Sequence, residues 1–147
     1  MTCTYEYIDN WLKVNLSPER YEHSLGTAEC ARELAERFGE NPEKAYFTGL
    51  IHDCAKCLPK DETLHIIKTF LNLEDGELCS PKTHHAPVGA YIAKKEFKID
   101  DEEILSAIRW HTIGKVNMTP FEKIIFLADK IETRTRPCEI CEPIREA

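Results

Sequence analysis

The stretch Ala45–Ala55 reads AYFTGLIHDCA, apolar on nearly every side of a helix until His52 and Asp53 interrupt it. A helix that is apolar all round is buried in the middle of a bundle rather than laid on its surface. An ionised carboxylate buried there is costly unless a cation or strong donors compensate it. The stretch therefore predicts a helical bundle packed around this segment and a neutralising partner for Asp53. For an isolated His-Asp pair, Lys56 or a backbone amide would serve as that partner.

On either side helix signals recur, and no run of alternating apolar residues bounded by turn residues marks a strand. A first helix ends near Leu16. Ser17-Pro18 then supplies an N-cap and a proline at the first helical position, and Gly39 sits just past the stripe Tyr21, Leu25, Ala28, Leu34, Ala35 and Phe38. Asn41-Pro42 opens the central helix in the same way. Asp61 is expected to cap a helix carrying Leu64, Ile67 and Leu71, and Pro87 to begin one carrying Val88, Tyr91 and Ile92. Asp100-Asp101 and Thr119-Pro120 start two more, the second running through IIFLADKI, while LNLEDGELCSPKT at 71–83 reads as a loop. The fold class is all-α, a compact helical bundle.

A length of 147 residues suits one domain spanning 1–147, and PIREA ends without a terminating signal, so part of the C-terminus is expected beyond it. The N-terminal MTCTYEYIDNWLKVNL is neither a signal peptide nor a membrane span, which points to a cytoplasmic protein without a membrane partner. A net charge of −7 argues against a nucleic-acid partner, since that needs clustered Lys and Arg. A small anionic ligand remains compatible, because bound metal ions reverse local potential whatever the global sum. Seven cysteines without regular spacing predict reduced thiols and no disulfides. Cys54-x-x-Cys57 and Cys138-x-x-Cys141 have zinc half-site spacing, but 84 residues separate Cys54 from Cys138, too far for one small zinc site. Cys54 is expected in the core, and Cys138 and Cys141 near the surface.

The conflict between ionisable residue and apolar face repeats. His23 falls in line with Thr27, Cys30 and Leu34. His111 continues the face of Ile104 and Ile108, and Asp129 lies four residues after Ile125 and eight after Phe121. One histidine on an apolar face is usually a satisfied core residue. Several helices each directing an imidazole or carboxylate inward is how bundles build metal sites. His85, just before Ala86-Pro87, is free of helical packing; His84 could take its place, and His65 looks structural.

Five segments, RYEHS at 20–24, HDCAK at 52–56, HAPVGA at 85–90, RWHTIGKVNM at 109–118 and EKIIFLADKIE at 122–132, resemble the HD-domain superfamily in residue and order. More narrowly they are similar to its YqeK-type group, the bacterial symmetrical diadenosine tetraphosphate hydrolases. The resemblance implies a helical bundle holding two metal ions, most readily iron. It places His23, His52, Asp53 and Asp129 around one and Asp53, His85 and His111 around the other. Imidazole and carboxylate ligands without thiolate suit iron, manganese or zinc equally. The implied reaction is attack of a metal-activated hydroxide on a dinucleoside polyphosphate, a small-molecule nucleotide substrate, with Asp53 and Lys56 as catalytic groups. Arg20, Lys56, Lys115 and Arg134 are the candidate substrate contacts, and Trp110 is expected in the core. The chain departs from the family pattern at Thr133 and in the following TRTRPCEIC, which bears on C-terminal substrate contacts. Rival functions are another HD-type nucleotidase or cyclic-nucleotide phosphodiesterase, and a non-catalytic nucleotide-binding regulatory module.

Overall fold

The computed structural model describes residues 4–136 and 138–146, with side chains of 138–141 excluded, so the expected placement of Cys138 and Cys141 lies outside the described residues. Its helices are α1 Tyr5–Asn15, α2 Pro18–Phe38, α3 Pro42–Ile51, α4 Lys60–Phe70, α5 Asp75–Leu78, α6 His85–Lys95, α7 Glu102–Arg109, α8 Pro120–Ile131 and α9 Cys138–Glu146. No strand occurs among the described residues, and no helix there is long and apolar enough to cross a membrane.

Local chemistry sets most of the boundaries. Ser17, Asn41 and Thr119 each cap a helix whose first residue is proline, with the cap side chain accepting from Arg20 N, Lys44 N and Glu122 N respectively. Asp101 caps α7, accepting from the amides of Glu103 and Ile104. Two starts differ from expectation. Pro59, not Asp61, precedes α4 and makes no side-chain cap, so Asp61 lies inside the first turn. α6 begins at His85, two residues before Pro87. The 71–83 segment also holds more structure than a loop: α5 carries a reciprocal capping box between Glu74 and Glu77, and a single 3-10 turn spans Pro81–Thr83.

The long α2 packs along α3 and α8, α7 packs on α6 and α8, and α3 is enclosed by α2, α7 and α8. The expected burial of α3 is observed: Ala45, Thr48, Gly49, Leu50 and Ile51 are all sealed. Ile8, Leu12, Leu50, Ile51, Val88, Phe97 and Ile108 belong to one apolar cluster; Ala31, Ala35, Phe121, Ile125 and Ala128 belong to a second. Phe38 does not join them. As the last residue of α2 it is 59% exposed, and the inner line of that helix is Ala28, Ala31 and Ala35 instead.

Small residues on α2 and α3 let those helices touch. A Cβ at Gly49 would stand 2.9 Å from Ala28 Cα and 3.0 Å from Thr27 O, both backbone atoms that cannot yield without moving a helix. Gly49→Ala should therefore cost about 1–3 kcal/mol by overpacking, although helix propensity alone would favour alanine by about 1 kcal/mol. Thermal unfolding should show a lower midpoint; a midpoint unchanged or raised would mean that the α2–α3 spacing is not set here.

Candidate metal centre

Buried apolar residues deliver the ionisable ones. His52 and Asp53 directly follow Ile51, Asp129 follows Ala128, and His111 lies three residues after Ile108, so packing of these anchors brings polar side chains to one place between α2, α3, α6, α7 and α8. His23, His52, Asp53 and His111 are each no more than 1% exposed.

His52 and Asp53 do not lie within the helix, as the apolar run suggested. α3 stops at Ile51 and the chain continues in tight three-residue turns, with Cys54 N donating to Ile51 O and Lys56 N to Asp53 O. The cause is local. His52 Nδ1 donates to Gly49 O at 2.6 Å, taking the carbonyl that a continuing α-helix would offer to the amide of Asp53. His111 repeats the device. It too lies past its helix, α7, and its Nδ1 donates to Ile108 O at 2.7 Å.

These bonds fix the tautomers. A carbonyl only accepts, so each Nδ1 carries the hydrogen and each Nε2 is left with its lone pair. His23 is held alike, its Nδ1 lying 2.7 Å from Glu132 Oε2. The Nε2 atoms then meet carboxylates: His23 at 2.8 Å and His52 at 3.0 Å from Asp129 Oδ1, and His85 at 3.2 Å and His111 at 3.6 Å from Asp53 Oδ1. His52 Nε2 is also 3.9 Å from Asp53 Oδ1. Asp53 Oδ1 is sealed and has no hydrogen-bond partner despite these neighbours. Lone pairs of imidazoles and carboxylates facing one another repel unless protons or cations lie between them, so the donor set fits metal ions. Among the described residues two groups have mutual ligand-atom spacing suited to an ion: His23, His52 and Asp129, and His52, Asp53 and His111.

Within the cluster, burial and neighbouring charge act against each other. Burial alone would raise the Asp53 carboxyl, but His52, His111 and His85 hold it well below its usual range. Asp129, likewise opposed by burial, is lowered by His23 and His52. His23 is raised, burial being outweighed by Asp129 and Glu132, whereas burial prevails at His85 and lowers it. Glu132, though buried, is drawn down to about 2 by His23 and by donation from Thr135 N and Oγ1.

Around the cluster the structure gathers more cations than the sequence suggested. A cavity of about 290 Å³ is lined by Arg20, Lys56, Lys82, Lys130 and Arg136 together with Asp53, His85, His111, Thr112 and Asp129. Arg20, not Lys56, pairs with Asp53, its Nη2 donating to Oδ2. Lys56 is exposed at the cavity. Lys115 and Arg134, also expected among the substrate contacts, do not line this cavity. Lys115 is taken by Glu122 and Ser106, each at 3.2 Å, and Arg134 by Glu29 and Glu22. Arg136 arrives in place of Arg134, donating through Nε and Nη2 to Asp129 O. Trp110 is half-buried under the Arg109 guanidinium rather than in the core. His84 is half-buried with an unpartnered Nε2, His65 is exposed, and Cys54 is buried as expected.

Comparison with known proteins agrees with this architecture. Residues 20–134 match the HD domain family. The chain belongs to that family. It is 45% identical over 124 residues to the symmetrical bis(5'-nucleosyl)-tetraphosphatase of Bacillus subtilis and 42% identical over 121 residues to that of Halalkalibacterium halodurans. Each alignment covers 82% of this chain and 65% of the relative, so the chain spans about two thirds of those proteins. It is 34% identical over 126 residues to a probable nicotinate-nucleotide adenylyltransferase/Ap4A hydrolase of Mycoplasma genitalium, covering 86% of this chain and 35% of that one. A crystal structure from Clostridium acetobutylicum, described as a predicted HD superfamily hydrolase involved in NAD metabolism, superposes with a TM-score of 0.93 at 39% identity, covering 100% of this chain and 78% of that one. The HD fold carries divalent-metal chemistry, in keeping with the histidine and aspartate cluster.

Glu132 is the residue that sequence analysis left without a role. Its only local signal is a charge at the end of an apolar helix, which ordinarily marks solvent, yet it is fully buried. Gly26 makes room for it: a Cβ there would lie 2.6 Å from Glu132 Oε1. Partners that orient a ligating histidine commonly account for about 10–100-fold in metal affinity. Glu132→Ala and Gly26→Ala should each weaken divalent-metal binding by that order in titrations of the metal-free protein, and His65→Ala should not. Unchanged affinity in Glu132→Ala, with a normal melting profile, would remove the orienting role.

Proposed function

We propose that this protein hydrolyses dinucleoside tetraphosphates symmetrically, cutting diadenosine tetraphosphate to two ADP. The observation that carries the proposal is the unpartnered, sealed Asp53 Oδ1 among histidine Nε2 atoms, on the floor of a cavity lined by five cationic side chains. A cavity so positive in a chain of net charge −7 suits a small polyanion. The relatives named for that activity support the substrate.

In this proposal His23, His52 and Asp129 hold one divalent ion, Asp53, His85 and His111 hold a second, and Asp53 is shared. The family resemblance favours iron, and the donor set suits manganese and zinc equally. Bound ions would lower the pKa of a water and neutralise charge on phosphoryl oxygens. The chain's own residues do the rest. Asp53 offers both oxygens only once Arg20 leaves Oδ2, and the released guanidinium is then placed to grip a phosphate. Lys56, exposed and without a carboxylate partner within ion-pair distance among the described residues, faces the reacting phosphoryl group, while Lys82, Lys130 and Arg136 line the path of the polyphosphate. Symmetric cleavage follows if these contacts hold the two inner phosphates over the cluster, since in-line attack then meets the central anhydride. The setting proposed is cytoplasmic, with Cys30, Cys54, Cys57 and Cys79 as thiols.

Chromatography of the products from diadenosine tetraphosphate tests this directly. ADP alone is expected; ATP with AMP would mean outer-bond cleavage, and activity confined to monophosphates or cyclic nucleotides would move the assignment to another HD phosphohydrolase. Lys56→Met should keep its metal and lose on the order of 10²-fold or more in turnover, the usual cost of one well-placed electrostatic donor. Loss of metal or fold in that variant would instead make Lys56 structural.

A further inference from the structure

Beside the cavity over the metal cluster lies a second of about 210 Å³, and the two share Lys56, Lys82 and His85 as lining residues. Their linings differ. The metal-side cavity is walled almost wholly by charged side chains and imidazoles, whereas the neighbour adds the apolar Ala55, Leu58, Leu64 and Pro81 to that shared rim, alongside Lys60, Thr63 and His84. An occupant spanning both must carry an anionic chain joined to a compact apolar body. Together the two cavities reach the size usual for small-molecule sites, about 300–1,000 Å³.

We infer that the second cavity receives one nucleoside of the substrate, its base lying between Leu58, Leu64 and Pro81 while Lys56 and Lys82 grip the phosphates at the shared rim. The inference rests on the nucleotide reading of the metal-side cavity and adds the register of the substrate on the protein. With one nucleoside held in this chamber, the adjoining phosphates are led past Lys56 and Lys82 to Asp53 and its histidines.

The chamber wall is anchored. Glu77 is the one buried residue of the 71–83 segment, and Arg109 clasps it with two bonds, Nη2 to Oε1 at 2.6 Å and Nε to Oε2 at 2.9 Å. Glu77 O in turn accepts from Thr83 Oγ1. The ion pair thus ties Pro81 and Lys82 to the end of α7, two residues before His111, so the wall is preformed.

The test fills the chamber and compares two probes on metal-loaded protein: ADP, which carries a nucleoside, and inorganic pyrophosphate, which does not. Leu64→Trp and, separately, Thr63→Trp should weaken ADP binding at least about tenfold by calorimetry and leave pyrophosphate binding and the thermal midpoint near wild type. Thr63 and Leu64 both line the cavity and are both only half-buried, so each variant guards against a folding failure of the other. ADP affinity unchanged in both folded variants, or pyrophosphate affinity falling as much as that of ADP, would overturn the chamber. Product analysis of the wild type separates this outcome from failure of the parent reading: diadenosine tetraphosphate cut to ADP with ADP affinity unmoved rejects the chamber alone. An ADP effect without that cleavage keeps a nucleotide chamber and rejects the proposed reaction.

Discussion

A carboxylate oxygen sealed from water among imidazole nitrogens is the constraint around which this molecule is arranged. Asp53 Oδ1 has no hydrogen-bond partner, and the Nε2 atoms of His85, His111 and His52 lie 3.2, 3.6 and 3.9 Å from it. Such an oxygen in a packed interior costs several kcal/mol if left uncompensated. The cost is tolerable where cations take the space between donors. Then the same atoms become ligands, and the binding free energy of the ions is available to the folded state alone.

The helices are cut to serve that cluster. α3 and α7 both end one residue or two before the histidine that matters, and in each case the imidazole turns back on its own helix to bond the carbonyl three residues earlier. The bond ends the helix, fixes the tautomer and aims Nε2 inward, so helix termination and the placement of the imidazole are one event. Glu132 performs the orienting part of this for His23 from the far end of α8, and Gly26 keeps α2 clear of it. Stability and site are therefore linked through backbone approach: the same α2–α3 contact that requires Gly49 also sets where Gly49 O meets His52.

What was legible in the sequence was what is local. The caps at Ser17, Asn41, Asp101 and Thr119 are side chains bonding amides two or three residues away, and they stand where their types suggested. Apolar anchors with an ionisable residue out of place pointed to His23, His52, Asp53, His111 and Asp129, and the family resemblance added His85; the fold brings the six together. The helix ends at Ile51 and Arg109 were hidden because an imidazole competing for a carbonyl leaves no compositional mark. The cationic lining was hidden for another reason: which of Arg134 and Arg136 reaches the cavity depends on the acids of α2, Glu22 and Glu29, a distant contact that periodicity does not encode. Glu77 was obscured likewise, since a carboxylate in a polar segment reads as solvated until Arg109 covers it.

The account stands on Asp53 being a ligand shared between cations, and metal content reports on that without reference to any substrate. Protein purified anaerobically, with its metals counted per chain by mass spectrometry, should carry two transition-metal ions, and Asp53→Ala should retain the helical fold while losing both. A wild-type chain without transition metal under those conditions, or an Asp53→Ala variant that keeps two, would contradict it.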